Sequence, residues 1–255
     1  MKRYRLSVAY DGTDFCGWGV QPQMRTVQGV MGEACNKIFN EVGDVTAAGR
    51  TDSGVHAAGQ TVHLDCETSI KAQNMAYRLN AVLPDDVVVE SVKIVEDDFH
   101  ARFHCLAKQY VYRLANGKVP PLFDRSTVAW EQRPLDLHPM REAAKYIEGE
   151  HDFKAFMNVG REMESTVRKI LRFNVKRRQG QLIFSILGTG FLYNQVRVMV
   201  GTMIDIGLGK IPALMIKDIL QSRDRKNAGV TVEAKGLSLQ KTIYAGDPSE
   251  KMLPQ

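Results

Sequence analysis

The nine residues Ala48-Gly49-Arg50-Thr51-Asp52-Ser53-Gly54-Val55-His56 put one carboxylate and one guanidinium on a short stretch flanked by glycines. Glycine lacks a Cβ and accepts backbone angles that other residues avoid. Such a turn can aim Asp52 outward while Arg50, two residues earlier, shares its face. A cation so close would hold the carboxylate ionised, and an exposed, ionised aspartate is how a protein presents a carboxylate nucleophile. The plain alternative for a G-x-x-D turn is an aspartate that bonds nearby backbone. The length of this string makes it far more specific than that common pattern.

Other groups invite chemistry more weakly. His100 and His104 stand four residues apart, the spacing of two zinc ligands on a helix. No third ligand cluster lies near them in sequence, Cys105 adjoins the spacing rather than completing it, and Phe99 and Phe103 predict an extended or packed segment. No metal is therefore predicted. His56 ends the signature string and is expected to support the loop. The basic run Arg168-Lys169, Arg172 and Lys176-Arg177-Arg178 straddles a predicted strand. Strict alternation puts Arg168, Arg172 and Lys176 on one face, which could track a phosphate backbone or guard a sheet edge with charge.

The elements that must position these groups are legible from periodicity. Leu6, Val8 and Tyr10 alternate with small residues, predicting a strand before the Asp11-Gly12 turn. Val27, Val30, Met31, Ala34 and Ile38 recur at helical spacing, with Thr26 placed as the cap. Val62, Leu64 and Cys66 predict a half-buried strand directly after the signature loop, which puts Asp52 at a strand edge. Met75, Leu79 and Val82 predict a helix ending before Pro84, and Val87 to Val95 another strand. In the second half, Gln109 to Leu114 reads as a strand with Tyr110 and Tyr112 on one side, so either tyrosine suits a core or a sheet surface. Asp136 caps a predicted helix through Ile147, and Val167 to Arg178 pairs with Leu182 to Leu187 across Gln179-Gly180. Val196, Met199, Val200 and Met203 form an apolar helical stripe that carries Arg197, Ile211 to Gln221 predicts another helix, and Leu237 and Leu239 begin a last strand. Strands, hairpins and single helices in this order predict an α+β fold.

Composition narrows the class further. The chain has 255 residues, 44% of them hydrophobic and 25% charged, ordinary proportions for a globular protein with ample core. Cys16, Cys35, Cys66 and Cys105 are widely spaced without a C-x-x-C pair, which predicts reduced thiols rather than a zinc knuckle or a disulfide framework. The amino terminus enters a strand pattern without a signal-like apolar core, and no run of apolar residues is long enough for a membrane span, predicting a cytoplasmic protein. The net charge of +5 is unevenly placed: residues 1–105 carry 10 Lys and Arg against 14 Asp and Glu, a balance of −4, whereas residues 106–255 carry 24 against 15, a balance of +9. A polyanion-binding face produces such asymmetry, and so does ordinary solvated charge.

Several blocks together resemble the tRNA pseudouridine synthases of the TruA family. Besides the signature string, Tyr10-Asp11-Gly12-Thr13-Asp14-Phe15-Cys16-Gly17-Trp18, Arg25-Thr26-Val27-Gln28, Asp98-Phe99-His100-Ala101-Arg102-Phe103, Lys108-Gln109-Tyr110, Phe191-Leu192-Tyr193-Asn194-Gln195-Val196-Arg197 and Ala234-Lys235-Gly236-Leu237 follow the family's order. The resemblance implies two α+β domains with mixed, mainly antiparallel sheets joined across a central active cleft. Residues 1–105 would form the domain with the catalytic loop, 106–245 the basic domain, and 246–255 a polar tail without regular structure. It implies isomerisation of uridine to pseudouridine in the anticodon stem-loop of tRNA, at positions 38, 39 and 40, by a homodimer. Asp52 would be the nucleophile, Arg197 its partner, and Tyr110 the ring that stacks on the flipped uracil and assists proton transfer. Arg50 would fill the gap left by the flipped nucleotide or pair with Asp52, and Leu237 would pack against the base; a surface arginine and a core leucine are the structural alternatives for Arg197 and Leu237. Gln109 departs mildly from the family pattern, where a basic residue or threonine is frequent. The reaction breaks a C1′–N1 bond and joins C5 to the same sugar carbon without net redox change, so its stoichiometry requires no cofactor and no metal. A paralogue acting on another RNA, or a non-catalytic RNA-binding or RNA-folding protein of this fold, are the rival readings.

Overall fold

Tyr4, Leu6, Val8 and Tyr10 alternate with Arg3, Arg5, Ser7 and Ala9 over residues 2–10. In the computed structural model, which describes residues 1–158 and 163–254, they form β1 (Lys2–Tyr10), burying Tyr4, Leu6, Val8 and Tyr10. The chain divides into two units, Met1–Leu106 with Ser238–Glu250, and Ala107–Leu237 with the residues from Lys251 onward.

In the first unit, β1 is followed by α1 (Val27–Ile38), the short β2 (Glu41–Val42) and β3 (Thr46–Ala47), β4 (His56–Glu67), α2 (Ala72–Asn80) and β5 (Val87–Ile94). The Thr26 hydroxyl accepts from the Gly29 amide and starts α1, as the sequence predicts, and Val27, Met31, Ala34 and Cys35 form its buried face. β1 lies between β4 and β5, antiparallel to both, with Leu6 opposite Val62 on one side and Val92 on the other. β2 and β3 pair with β4, so the signature loop leaves one strand at Ala47 and enters its neighbour at His56.

The second unit contains β6 (Ala107–Asn116), β7 (Ala129–Glu131), α3 (Leu137–Ile147), β8 (Gly149–Asp152), β9 (Val167–Arg178), β10 (Gln181–Gly188), α4 (Gln195–Gly207) and α5 (Met215–Ser222). Its sheet runs β6-β10-β9-β8, all antiparallel, with β7 parallel to β6. Gln179 and Gly180 both take positive φ (49° and 78°), the requirement of a two-residue hairpin turn of the primed kind. Asp136 accepts from the His138 amide at 2.8 Å and caps α3, whose buried Met140, Ala143, Ala144 and Ile147 pack toward β9 and α4. The fold is α+β with mixed, mainly antiparallel pairing.

Three expectations are corrected. The last strand, β11 (Leu237–Ile243), belongs from Ser238 onward to the first unit, where Ser238 lies opposite His56 in parallel with β4; the sequence pattern of a strand does not name its partner. The tail is not irregular throughout, because Pro248–Met252 forms a 3-10 turn and Asp247 makes an ion pair with Arg5 of β1. The helix expected from Ile211 begins only at Met215, after a turn in which the Met215 amide bonds the Pro212 carbonyl. Among the described residues, no helix is long and apolar enough to cross a membrane.

Candidate active site

Asp52 sits half-buried in the loop between β3 and β4, at the head of a turn closed by the Val55 amide bonding the Asp52 carbonyl at 3.1 Å. Gly54, third in that turn, has φ 74°, the value a type II turn reserves for glycine. Gly49 takes no positive φ, so only one of the two flanking glycines is needed for its backbone freedom.

The loop is pinned by the residues of the first sequence block. The Tyr10 and Thr51 hydroxyls share a buried hydrogen bond of 2.8 Å, and burial pushes the Tyr10 phenol up to about 12, so it stays protonated near neutrality. The Trp18 amide donates to the Thr51 carbonyl (3.1 Å), while the Gly54 amide and the Ser53 hydroxyl both donate to the Phe15 carbonyl (3.2 Å each). The Gly12 amide donates to His56 Nδ1 at 3.0 Å, giving His56 the supporting job expected of it. A Cβ on Gly12 would lie 2.1 Å from the Val55 carbonyl oxygen, so only glycine allows this approach. The second block holds the first in turn: the Cys16 amide donates to the Arg25 carbonyl and the Gln28 amide to the Trp18 carbonyl, and the Arg25 guanidinium grips Asp86 at 2.7 and 2.9 Å while lying 4.0 Å from the centre of the Phe15 ring. Three sequence blocks thus build one braced platform for Asp52.

Arg50 is exposed, and among the described residues no hydrogen bond or ion pair engages its guanidinium. Of its two expected jobs, pairing with Asp52 is therefore not the one it performs in this structure.

Tyr110, Arg197 and Leu237 belong to the second unit. Tyr110 is buried on β6, opposite Ile186, with the Phe191 ring edge-on at 5.1 Å. Tyr112 shares its face, as alternation predicts, but its hydroxyl donates to the Glu233 carbonyl at 3.0 Å and burial pushes its phenol far above the ordinary value. Arg197 lies in the first turn of α4, half-buried, donating from Nε to the Val232 carbonyl and from Nη1 to Asn194 Oδ1, both at 2.8 Å. Asn194 holds a left-handed backbone (φ 59°), which asparagine tolerates better than most residues. Leu237 is buried at the start of β11, following the 3-10 turn Ala234–Gly236. The segment 232–237 therefore ties Arg197 through one carbonyl, Tyr112 through the next, and carries Leu237.

Periodicity alone did not reveal Asn194 or the Val232 carbonyl as the arginine's anchors. The available signal was glycine within an apolar helix: a Cβ on Gly201 of α4 would lie 1.9 Å from the Val230 carbonyl oxygen, marking where another backbone crosses. The basic stripe also needs correction. A bulge between the β9 residues opposite Leu187 and Gly188 inverts the alternation, so Ile170, Phe173 and Val175 are buried and Lys169, Arg172 and Lys176 point outward. Arg168 falls on the other face, with Nη1 bonded to the Ser165 and Val167 carbonyls. Of the extended and packed alternatives for this segment the packed one holds: His100 and His104 are joined by a turn, closed by the His104 amide on the His100 carbonyl at 3.0 Å, and Phe99 packs on His63 and Tyr244. Their Nδ1 atoms accept backbone amides, from Arg102 and Phe103 in one case and from His100 in the other.

The sequence matches the family described as tRNA pseudouridine synthase over residues 6–104 and 143–245. It is 40% identical over 244 residues to tRNA pseudouridine synthase A of Brevibacillus brevis, covering 96% of this chain and all of that protein. Proteins of the same description from Pseudothermotoga lettingae (43% over 240 residues, 94% of this chain and 98% of the relative) and Clostridium acetobutylicum (41% over 244 residues, 96% and 100%) match equally broadly. Matched across both units and along nearly its whole length, the chain belongs to the tRNA pseudouridine synthase family.

Proposed function

We propose that the protein isomerises uridine to pseudouridine in the anticodon stem-loop of tRNA, as a cytoplasmic homodimer. Asp52 is the nucleophile, Tyr110 stacks on the flipped uracil and assists proton movement, and Arg197 keeps the attacking carboxylate ionised and oriented. Arg50, long, planar and unengaged, takes the place of the nucleotide that leaves the stack, and Leu237 offers an apolar wall to the base. The glycosidic bond C1′–N1 breaks, the uracil turns, C5 bonds C1′, the C5 hydrogen departs as a proton and N1 gains one, so the reaction is internally balanced. Binding rests on phosphate contacts from the basic second half, with Lys169, Arg172 and Lys176 as one stripe.

The observation that supports this reading best is the family match over both units together with a braced loop that carries Asp52. Pseudouridine mapping of RNA from cells with and without the protein tests it. Loss of the modification from anticodon stems is the expected result, and loss from another RNA class, or no loss, would replace it.

A further inference from the structure

The Arg225 guanidinium, in the 3-10 turn Arg225–Asn227 of the second unit, bonds three neutral acceptors, two in the stretch that follows its own turn and one on the distant segment of Asn158. Nε donates to Asn158 Oδ1 (2.9 Å), Nη1 to the Ala228 carbonyl (3.3 Å) and Nη2 to Thr231 Oγ1 (3.1 Å). Burial draws its proton affinity below the ordinary arginine value, an expense that a solvent-exposed arginine would avoid.

Those acceptors lead to both anchors of Arg197. Thr231 precedes Val232, whose carbonyl takes Arg197 Nε, and the Thr231 hydroxyl also donates to Asn158 Oδ1 at 3.1 Å. The Asn158 amide donates to the Tyr193 carbonyl at 3.3 Å, and the next residue, Asn194, takes Arg197 Nη1. The bonds close a ring from Arg197 through Asn194 and Tyr193 to Asn158, across Arg225, and back along Thr231 and Val232. The crossing at Gly201, where the Gly229 amide also donates to Thr202 Oγ1 at 2.9 Å, presses the same segment onto α4.

We infer that Arg225 is a positioning residue: it fixes the two acceptors that orient the Arg197 guanidinium and acts on the reaction only through that side chain. This rests on the catalytic reading of Arg197 given above. Lysine keeps the charge but places its donors on one nitrogen, so it cannot reach Asn158, Ala228 and Thr231 together as a guanidinium does.

The test compares Arg225→Lys, Arg225→Gln and the milder Thr231→Val in the whole chain. Tritium release from a tRNA transcript labelled at uridine C5 gives the single-turnover rate, and tRNA affinity is measured alongside. Solvent exchange of the Arg197 Nε–H is followed in 15N spectra, its signal identified by its absence in Arg197→Lys. The Arg225 variants are expected to slow turnover about ten- to a hundredfold at saturating enzyme while tRNA affinity stays within about threefold. The Arg197 Nε–H should exchange faster in both, and Thr231→Val should show the same changes in weaker form. A loss of affinity that accounts for the loss of rate, with a salt slope lowered by about one, would make Arg225 a phosphate contact and overturn the inference. Unchanged Nε–H exchange in a folded variant would also overturn it. Should both Arg225 variants fail to fold, Thr231→Val decides by the same readouts. Wild-type turnover in Arg197→Lys would sink the catalytic reading of Arg197, and the exchange measurement would still judge the positioning.

Discussion

Asp52 is the proposed nucleophile, and its surroundings divide the work of holding from the work of reacting. The backbone of its turn is fixed by Phe15, Trp18 and Tyr10, none of which needs the carboxylate itself. Asp52→Asn should therefore leave the loop and tRNA affinity intact, within about threefold, while abolishing pseudouridine formation, since binding draws on phosphate contacts elsewhere. Turnover in the asparagine variant, measured by tritium release, would remove the nucleophile assignment. The two tyrosines of β6 make a matched contrast. Tyr112 spends its hydroxyl on the Glu233 carbonyl, so Tyr112→Phe removes a part-buried hydrogen bond and should cost about 1 kcal/mol of stability with little effect on turnover. Tyr110→Phe should instead slow turnover markedly; rates of both variants beside their denaturant unfolding separate the roles.

At the scale of elements, the legible parts were those fixed by local physics. Thr26 and Asp136 cap the helices they were expected to cap, and the Gln179-Gly180 turn joins the expected hairpin, because capping and turn chemistry involve neighbours in sequence. The bulge in β9 leaves no mark in the sequence, because one extra residue leaves composition untouched while reversing every side chain beyond it, which is why Arg168 parts from Arg172 and Lys176. The return of β11 to β4, the bracing of the Asp52 loop and the anchors of Arg197 were hidden because each joins residues distant in sequence. One such long-range tie has a pH signature. The turn 99–104 hangs on β4 through the Ala101 amide, which donates to His63 Nδ1 at 3.2 Å. Burial first, then the nearby His100 ring and Arg3, push His63 down to about 4, against the pull of Asp65. An unfolded histidine titrates near 6.5, so between about pH 6.5 and 4 the unfolded chain binds a proton that the native state refuses. Stability should thus be undiminished by this group above about pH 6.5 and fall on acidification toward pH 4, by up to roughly 3 kcal/mol. Urea unfolding across that range should show the fall, and His63→Gln should flatten much of it; an equal slope in the variant would assign the effect to other groups. Gly12→Ala tests the bracing itself, since its Cβ would meet the Val55 carbonyl at 2.1 Å and must displace the turn that carries Asp52. Turnover should drop at least about tenfold while tRNA affinity holds, as expected when positioning and binding are separate.

For the molecule as a whole, charge is segregated along the chain: the half that carries Asp52 is net acidic and the other half strongly basic. A polyanion held mainly by the basic half releases counterions in proportion to the phosphates neutralised, so tRNA affinity should fall steeply as salt rises. The bulge makes the expectation specific, because it turns Lys169, Arg172 and Lys176 outward together and removes Arg168 from their row. Arg172→Ala and Lys176→Ala should each weaken binding almost equally for different tRNAs and lower the slope of log affinity against log salt by about one, additively in the double variant. Arg168→Ala, whose Nη1 is bound to backbone carbonyls on the opposite face, should leave that slope unchanged even if it loosens the start of β9. Filter binding across a salt series compares the four variants with the unaltered protein on two different tRNAs. A slope that responds to Arg168 and ignores Arg172 and Lys176 would mean that the RNA follows the other face of this sheet, and the phosphate path would have to be redrawn from the buried side of β9.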